Sequence, residues 1–492
     1  MDSRSVSFST SLLVTTDNPS EDVALFTPAE AAAEITKIHL LATTNWHNPD
    51  WQGLQVVLAF LGAYFLHETN PFWLQIVGPP STGKTDLGLS VVDQLGPFVH
   101  QMDDITSSAL LSGYTKGKNK GKMNSLLHRV GETGILCSPD LTNLLSKDQR
   151  TVESVAGTMR QVYDGRATRN VGTGGAAVEW EGRISWIAAL TPGYEALWNR
   201  YNHGGNRSLT VRWRGAGDPL LVSERVRGRQ EWEAGQRYIK EQLAEMEKES
   251  PRGQIRAIVE KLIQELLSAT IPKPRPPLGA SLQQSGLYHL AQLVACCRAK
   301  PNRPDGKNIS RVEDMEDPGR IQHQLFKVAR GMAYLKRLEE PGIAEIALAY
   351  RVALDSIPFT RTAVLAPFPL DGRSVTVEQL LARTGYQTLD TLLWQLNDLR
   401  ALGLIQAADH IDCAGALEWR ETPYRLTDFF MALLGNSFPW GVGLGETFGD
   451  LGRIVSGGGG EGGSATVEIN KQNNFQDFSQ QKAIKPLDRL IC

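Results

Sequence analysis

The sequence predicts an α/β fold: a parallel sheet flanked by helices, then an all-helical region, then a small module of helices and strands. Three observations carry this. From Phe72 short apolar runs alternate with helical periods, the pattern of strand–helix units packed as layers. Gly78-Pro79-Pro80-Ser81-Thr82-Gly83-Lys84-Thr85 stands between an apolar strand (WLQIV) and a helix-forming segment (TDLGLSVVDQL), the context that gives G-x-x-x-x-G-K-[ST] its meaning. After about residue 224 the chain turns charged with helical spacing, seen in Ile255, Ile258, Val259, Leu262, Ile263 and Leu266.

Taken in order, Thr27-Pro28-Ala29-Glu30 is a helix start, with Pro at the first helical position and an acid in the first turn. Helices are expected over about 28–43 and 51–67, and strands near 72–77, 97–102, 134–138, 184–190 and 207–213. The run Ile271 to Pro277 stops the charged helix and is a stiff hinge. Further helices follow at about 281–298, 319–337 and 342–356. In the last module Val377 to Leu381 lies on one helix, Gly385 makes a turn, and Leu389, Leu392, Leu393, Leu396 and Leu399 form the packed face of the next. With Gly403 as its cap and strands around Leu404-Ile405 and Tyr424-Arg425-Leu426, the module reads as a winged helix. Ser456 to Ser464 (SGGGGEGGS) is a linker by composition, with a polar tail beyond it. The division expected is 1–68, a helical N-terminal element; 69–223, the sheet-bearing core; 224–358, the helical unit; 359–435, the winged helix; and 436–492, linker and tail.

With 492 residues, about three folded units fit. Apolar residues at 41% and charged residues at 21% supply ordinary cores, and a net charge of −3 leaves any polyanion contact to local patches. The five cysteines form no C-x-x-C pair, which suits a reducing cytoplasm. The apolar run Leu54 to Leu66 is too short for a membrane span and reads as a buried helix, so no membrane partner is expected. The nine histidines show no metal-ligand spacing.

In the Gly78–Thr85 loop, glycines allow backbone N–H groups to turn inward around phosphate oxygens, and the next helix offers its positive end to the same charge. Lys84 would neutralise the β- and γ-phosphates of ATP, and the Thr85 hydroxyl would ligate Mg2+. The metal also calls for an acid on a neighbouring strand. Asp140, closing the run GILCSPD, supplies it; its other reading is a helix cap.

On these residues the chain resembles the AAA+ ATPases, in particular the branch with a hairpin before the sensor strand, which includes minichromosome maintenance helicases and enhancer-binding activators. The likeness is nearest to helicase-like ATPases of phages and mobile elements. It spans about residues 70–430 and rests, beyond the loop, on Ser108 to Gly113, Pro139 to Leu145, Tyr163 to Arg166, Trp180 to Arg183 leading to Ala189-Leu190-Thr191-Pro192, Gly205 to Leu209, and Glu316 to Arg320. The resemblance implies a three-layer P-loop NTPase core with a helical lid. It makes Thr191 a sensor that orients water, with a capping Thr as the alternative. Arg207 is where related helicases carry the arginine that reaches a neighbouring subunit's nucleotide, which implies a homo-oligomeric ring. Arg320 is similar to a second sensor, with a surface ion pair as the alternative. One departure stands out: Leu141 follows Asp140 where the usual acid pair ends in Glu, so Glu153, Asp103 and Asp104 are candidates for the base by position only.

Two segments could meet DNA. Lys116, Lys118, Lys120 and Lys122 alternate with flexible residues, as a loop tracking phosphates requires, or simply face solvent. Asp164 to Gly182 reads as a hairpin with Arg166 and Arg169, either projecting into a ring channel, as the resemblance implies, or packed on its own domain. The winged helix could bind a major groove, but Asp390 and Asp398 offset Arg400 and leave a protein contact equally open. The expected function is thus a cytoplasmic, ring-forming, ATP-driven DNA helicase or translocase in replication of a phage or mobile element. The alternatives are a remodeller or loader acting on a protein, and a nucleotide-switched DNA-binding or defence protein.

Overall fold

The first strand, β1 (Trp73–Val77), is apolar throughout except for Gln75 and buried on both faces, as a central parallel strand must be. β2 (Val99–Gln101), β3 (Thr133–Ser138), β6 (Arg183–Leu190) and β7 (Leu209–Arg212) complete one sheet in the order β2-β3-β6-β1-β7. Every neighbouring pair in it is parallel. Between β3 and β6 the chain adds a two-stranded antiparallel hairpin, β4 (Arg166–Arg169) and β5 (Val178–Glu181). The expected strands are therefore present with ends moved by one or two residues.

This computed structural model describes residues 25–46, 49–68, 70–92, 95–103, 105–112, 125–170, 177–201, 207–214, 250–268, 271–275, 286–304, 308–312, 315–407 and 422–437. All belong to one unit, Met1–Gly457; the other unit, Gly458–Cys492, falls outside the described residues. Also outside them are Lys116, Lys118, Lys120 and Lys122, Asp104, Gly172 to Gly175, and the linker Ser456 to Ser464.

Side chains alternate across the sheet with the two-residue period of a strand. Leu74 and Ile76 of β1, with Ile187 and Ala189 of β6, enter one core; Trp73, Val77, Ile184, Trp186 and Ala188 enter the other. The second core is closed by α3 (Gln149–Tyr163) and by Ala167, Val178 and Trp180 of the hairpin. The first is filled by α2 (Trp51–Phe65), of which only Trp51, Gln52 and Gln55 escape burial. The apolar run 54–66 is accordingly an interior helix. No helix among the described residues is long and apolar enough to cross a membrane.

α1 (Pro28–Asn45) begins with the capping box Thr27/Glu30. The remaining helices are α4 (Pro192–Tyr201), α5 (Pro251–Ser268), α6 (Leu287–Arg298), α7 (Pro318–Leu335), α8 (Ile343–Asp355) and α9 (Phe359–Leu365). α7 crosses α2 at Gly331 and Gly62, where a Cβ on either glycine would lie about 2 Å from the other helix's backbone oxygen. One buried cluster runs from α1 and α2 through α5 to α8 and on to the C-terminal module. The middle region is not all-helical: Pro301–Asn302 and Arg311–Val312 pair as a short ribbon, β8 and β9.

The C-terminal module holds β10 (Val375–Thr376), α10 (Val377–Thr384), α11 (Leu389–Ala401), β11 (Ile405–Ala407), β12 (Pro423–Leu426) and α12 (Asp428–Ser437). Gly385 and Gly403, both at positive φ, end α10 and α11 in turns that a left-handed residue makes possible. The three strands form an antiparallel sheet, β10-β12-β11, behind two successive helices.

At the amino end of the sheet four cations gather around one carboxylate. Glu68 takes Arg330 and Lys327, its carbonyl takes Arg183, and Lys273 stands within electrostatic reach. Arg183 also donates to His67 Nδ1 at 3.1 Å. Desolvation, then the charges of Arg183 and Lys273, hold the His67 ring neutral down to about 4. The unfolded ring takes its proton near its ordinary pKa, so between about pH 6.5 and the folded value the unfolded chain binds more protons and stability falls as pH falls. His67→Gln is expected to flatten that segment of a urea-midpoint titration; an unchanged slope would mean the ring titrates normally.

Candidate nucleotide-binding site

A parallel sheet presents its ligands at the carboxyl ends of its strands, beside the point where the connections change direction. Here that point is β1, because the chain leaves it for the far edge at β2 and closes on its other side with β7. The Gly78–Thr85 loop leaves β1 at this position. Its mouth is fastened on both sides, by Gly78 N donating to Leu190 O of β6 at 3.2 Å and Trp213 N donating to Val77 O at 2.7 Å.

Within the loop, Ser81 and Gly83 take positive φ values of 61° and 85°. A Cβ on Gly83 would meet nothing within 4 Å, so its left-handed backbone is what requires glycine there. Thr82 Oγ1 and Lys84 Nζ both donate to Pro79 O, at 2.9 and 3.1 Å. Lys84 is 9% exposed. Burial pulls its pKa below the ordinary lysine value, and the nearby Asp140 carboxylate pulls it back. Thr85 lies exposed at the start of the next turn.

That turn is not the α-helix expected from TDLGLSVVDQL. Lys84–Gly88 winds as a π-helical turn and Leu89–Val91 as a 3-10 turn. The bulky neighbour at this turn is Trp213, whose ring would lie 2.9 Å from a Cβ at Gly88. Asp86 on the turn is held by Trp46 Nε1 at 2.8 Å and by Arg252. Trp46 thus serves packing and orientation, as do Trp73, which donates to Ile184 O at 2.8 Å, and Trp51, stacked on His39.

Three other carboxyl ends meet the loop's edge of the sheet. Asp140 follows β3; it is exposed, and its Oδ1 accepts from Thr142 N at 2.9 Å. It therefore holds the turn that leads into Thr142–Leu145, as the cap reading expects, and lies within electrostatic reach of Lys84. Thr191 ends β6, and its carbonyl accepts from Tyr194 and Glu195 as α4 begins. Asp103 follows β2 and is exposed. Glu153 lies on α3 and accepts from Gln149 at 2.7 Å.

The two predicted arginines lie elsewhere. Arg207 precedes β7, six residues from the loop's level in the register, about 20 Å along parallel strands. It is bound to Asp164 through Nε at 3.2 Å and Nη2 at 3.1 Å and stands over the Tyr163 ring. Gln324 of α7 donates to both Arg207 O and Tyr163 Oη at 2.7 Å. Arg320, one turn earlier on α7, pairs with Glu316 at 2.6 Å and is close enough to bias the Tyr163 hydroxyl. Arg207 therefore enters its strand at the end of the sheet opposite the loop of its own chain.

In the hairpin, Arg166 is matched by Glu179 and Glu181, and Arg169 donates to Leu111 O at 3.4 Å. The base of the hairpin is packed on its own domain through buried Ala167, Val178 and Trp180; residues 171–176 fall outside the described residues. On α11, Arg303 lies 4.1 Å over the Trp394 ring and 2.5 Å from Asp398.

What the sequence did not disclose is the ionic junction at the end of β7. Arg212 grips Glu195 of α4 through two bonds of 2.8 and 2.9 Å. Asp50, at the start of α2, accepts from Arg214 N and from Arg351 of α8, and Asp355 accepts from Arg212 N. Against the pull of burial, Asp50 and Asp355 hold Arg351 charged. No local motif marks these residues; they meet only once β7, α2 and α8 have packed.

The donor set fits Mg2+ bound with a triphosphate, since that ion takes one or two protein oxygens plus phosphate and water; Thr85 and Asp140 are such a pair. No cluster of three His, Cys, Asp or Glu suited to a metal occurs among the described residues. Compared with known proteins, the chain matches no family model, and no curated protein matches it.

Proposed function

We propose that the chain is an ATP-driven DNA helicase or translocase of the AAA+ kind, a ring-forming ATPase acting in replication of a phage or mobile element. The observation that carries this is the Gly78–Thr85 loop at the carboxyl edge of β1, with Asp140 and Thr191 at the same edge. Lys84 would leave Pro79 O for the phosphates, and Thr85 and Asp140 would hold Mg2+, which screens the charge on the phosphoryl oxygens. Thr191 would orient the attacking water. Asp103, after β2, and Glu153, on α3, are the described candidates to take its proton.

Arg207 supports the ring. Its backbone lies about 20 Å along the strands from its own loop, so a role at a nucleotide would be at that of another copy. Arg207→Ala is expected to keep ATP affinity while turnover falls about 30-fold, the worth of one charge-assisted contact. Equal turnover by this variant, measured at concentrations where the wild type assembles, would exclude the role in trans. The primary test is Mg-ATP hydrolysis with and without DNA, alongside strand separation.

A remodeller acting on a protein is favoured by one observation. The exposed face of α11 carries Asp390 and Trp394, and Arg303, laid over Trp394, is already held by Asp398, which leaves that cation engaged rather than offered to phosphates. ATPase stimulated by a protein and indifferent to DNA would select it. ATP-dependent duplex binding without turnover would select the nucleotide switch.

A further inference from the structure

We propose that Trp213 is a positioning residue of the phosphate-binding loop, acting through the Thr82–Gly83 peptide; this rests on the nucleotide reading of the site. Trp213 follows β7 and is 3% exposed. Its indole lies against two glycines, since a Cβ at Gly53 of α2 or at Gly88 would stand 2.9–3.0 Å from ring atoms, while a Cβ at Gly78 would stand 3.0 Å from Trp213 Cβ and its carbonyl oxygen. The ring is therefore a wedge between α2, the loop and the turn after it. Any side chain at those positions would displace it.

The wedge also makes a directed bond. Trp213 Nε1 donates to Thr82 O at 2.9 Å. A trans peptide is planar, with its N–H antiparallel to its C=O. Fixing the Thr82 carbonyl on the indole consequently aims the Gly83 N–H away from it, to the face a phosphate would take. Ser81 sits in the left-handed region, unfavourable for a side-chain-bearing residue, and such a conformation persists only where its surroundings enforce it. The indole bond one residue later, with Thr82 Oγ1 and Lys84 Nζ on Pro79 O, is that enforcement.

Packing and donation can be separated. Trp213→Phe keeps an aromatic ring between Gly53 and Gly88 and removes the donor. Trp213→His packs less well and restores a ring N–H. ATP affinity with Mg2+ is measured on full-length protein beside the urea unfolding midpoint. The expected result is affinity about three- to tenfold weaker in Trp213→Phe, whose midpoint falls less than that of Trp213→His, with Trp213→His nevertheless binding tighter than Trp213→Phe. Affinity that follows the midpoint across the variants, or wild-type affinity in Trp213→Phe, overturns the proposal. If the wild type itself holds no ATP, it is the nucleotide reading of the loop that has failed.

Discussion

Lys84→Ala is expected to lower ATP turnover by about 1,000-fold or more, with ATP binding lost at ordinary concentrations, while the chain stays folded. The buried ammonium is the one cation the loop itself supplies, and electrostatic stabilisation of charge developing on the phosphoryl oxygens is usually the largest single contribution to such a reaction. The fold should survive because Pro79 O keeps its bond from Thr82 Oγ1 and the loop's mouth stays fastened to β6 and β7. Labelled-ATP retention and steady-state turnover are the measurements, with circular dichroism as the control for folding. Normal turnover would remove this loop as the site of hydrolysis, and with it the helicase and remodeller readings alike.

Gly331→Ala is expected to destabilise the chain by about 3 kcal/mol, at the upper end of what overpacking costs, because the contact is with backbone rather than with a movable side chain. The added Cβ would stand 2.1 Å from Ala59 O, and α2 and α7 would have to separate along their whole crossing. Gly62→Ala should behave alike, and the double variant should cost less than the two single effects together, since the first separation also makes room for the second methyl. Urea denaturation reads both. A wild-type midpoint in either variant would show that the helices cross with more clearance.

The sheet and its loop were legible in the sequence because β1, β3 and β6 are short apolar runs that end at Gly78 or shortly before Pro139 and Pro192, and because a phosphate-binding turn has a fixed spacing. Asp140 and Thr191 were found at strand ends for the same reason. What remained hidden depends on contacts between distant segments. The turn after Lys84 looked α-helical by local pattern, but Trp213 from the far end of β7 lies against Gly88. The β8–β9 ribbon is too short for any period to announce it. Arg207 and Arg320 received roles by likeness alone; the structure adds that they sit near Tyr163, bound to Asp164 and Glu316 respectively. The wedge of Trp213 and the Asp50–Arg351–Asp355 junction gave no signal, since glycine, aspartate and arginine are individually unremarkable.

Asp164 is bonded to Arg207 on one side and, through Gly165, leads directly into β4 on the other. Whatever draws the guanidinium outward therefore parts the turn before β4 from the start of β7, while buried Ala167, Val178 and Trp180 keep the hairpin base seated on the sheet.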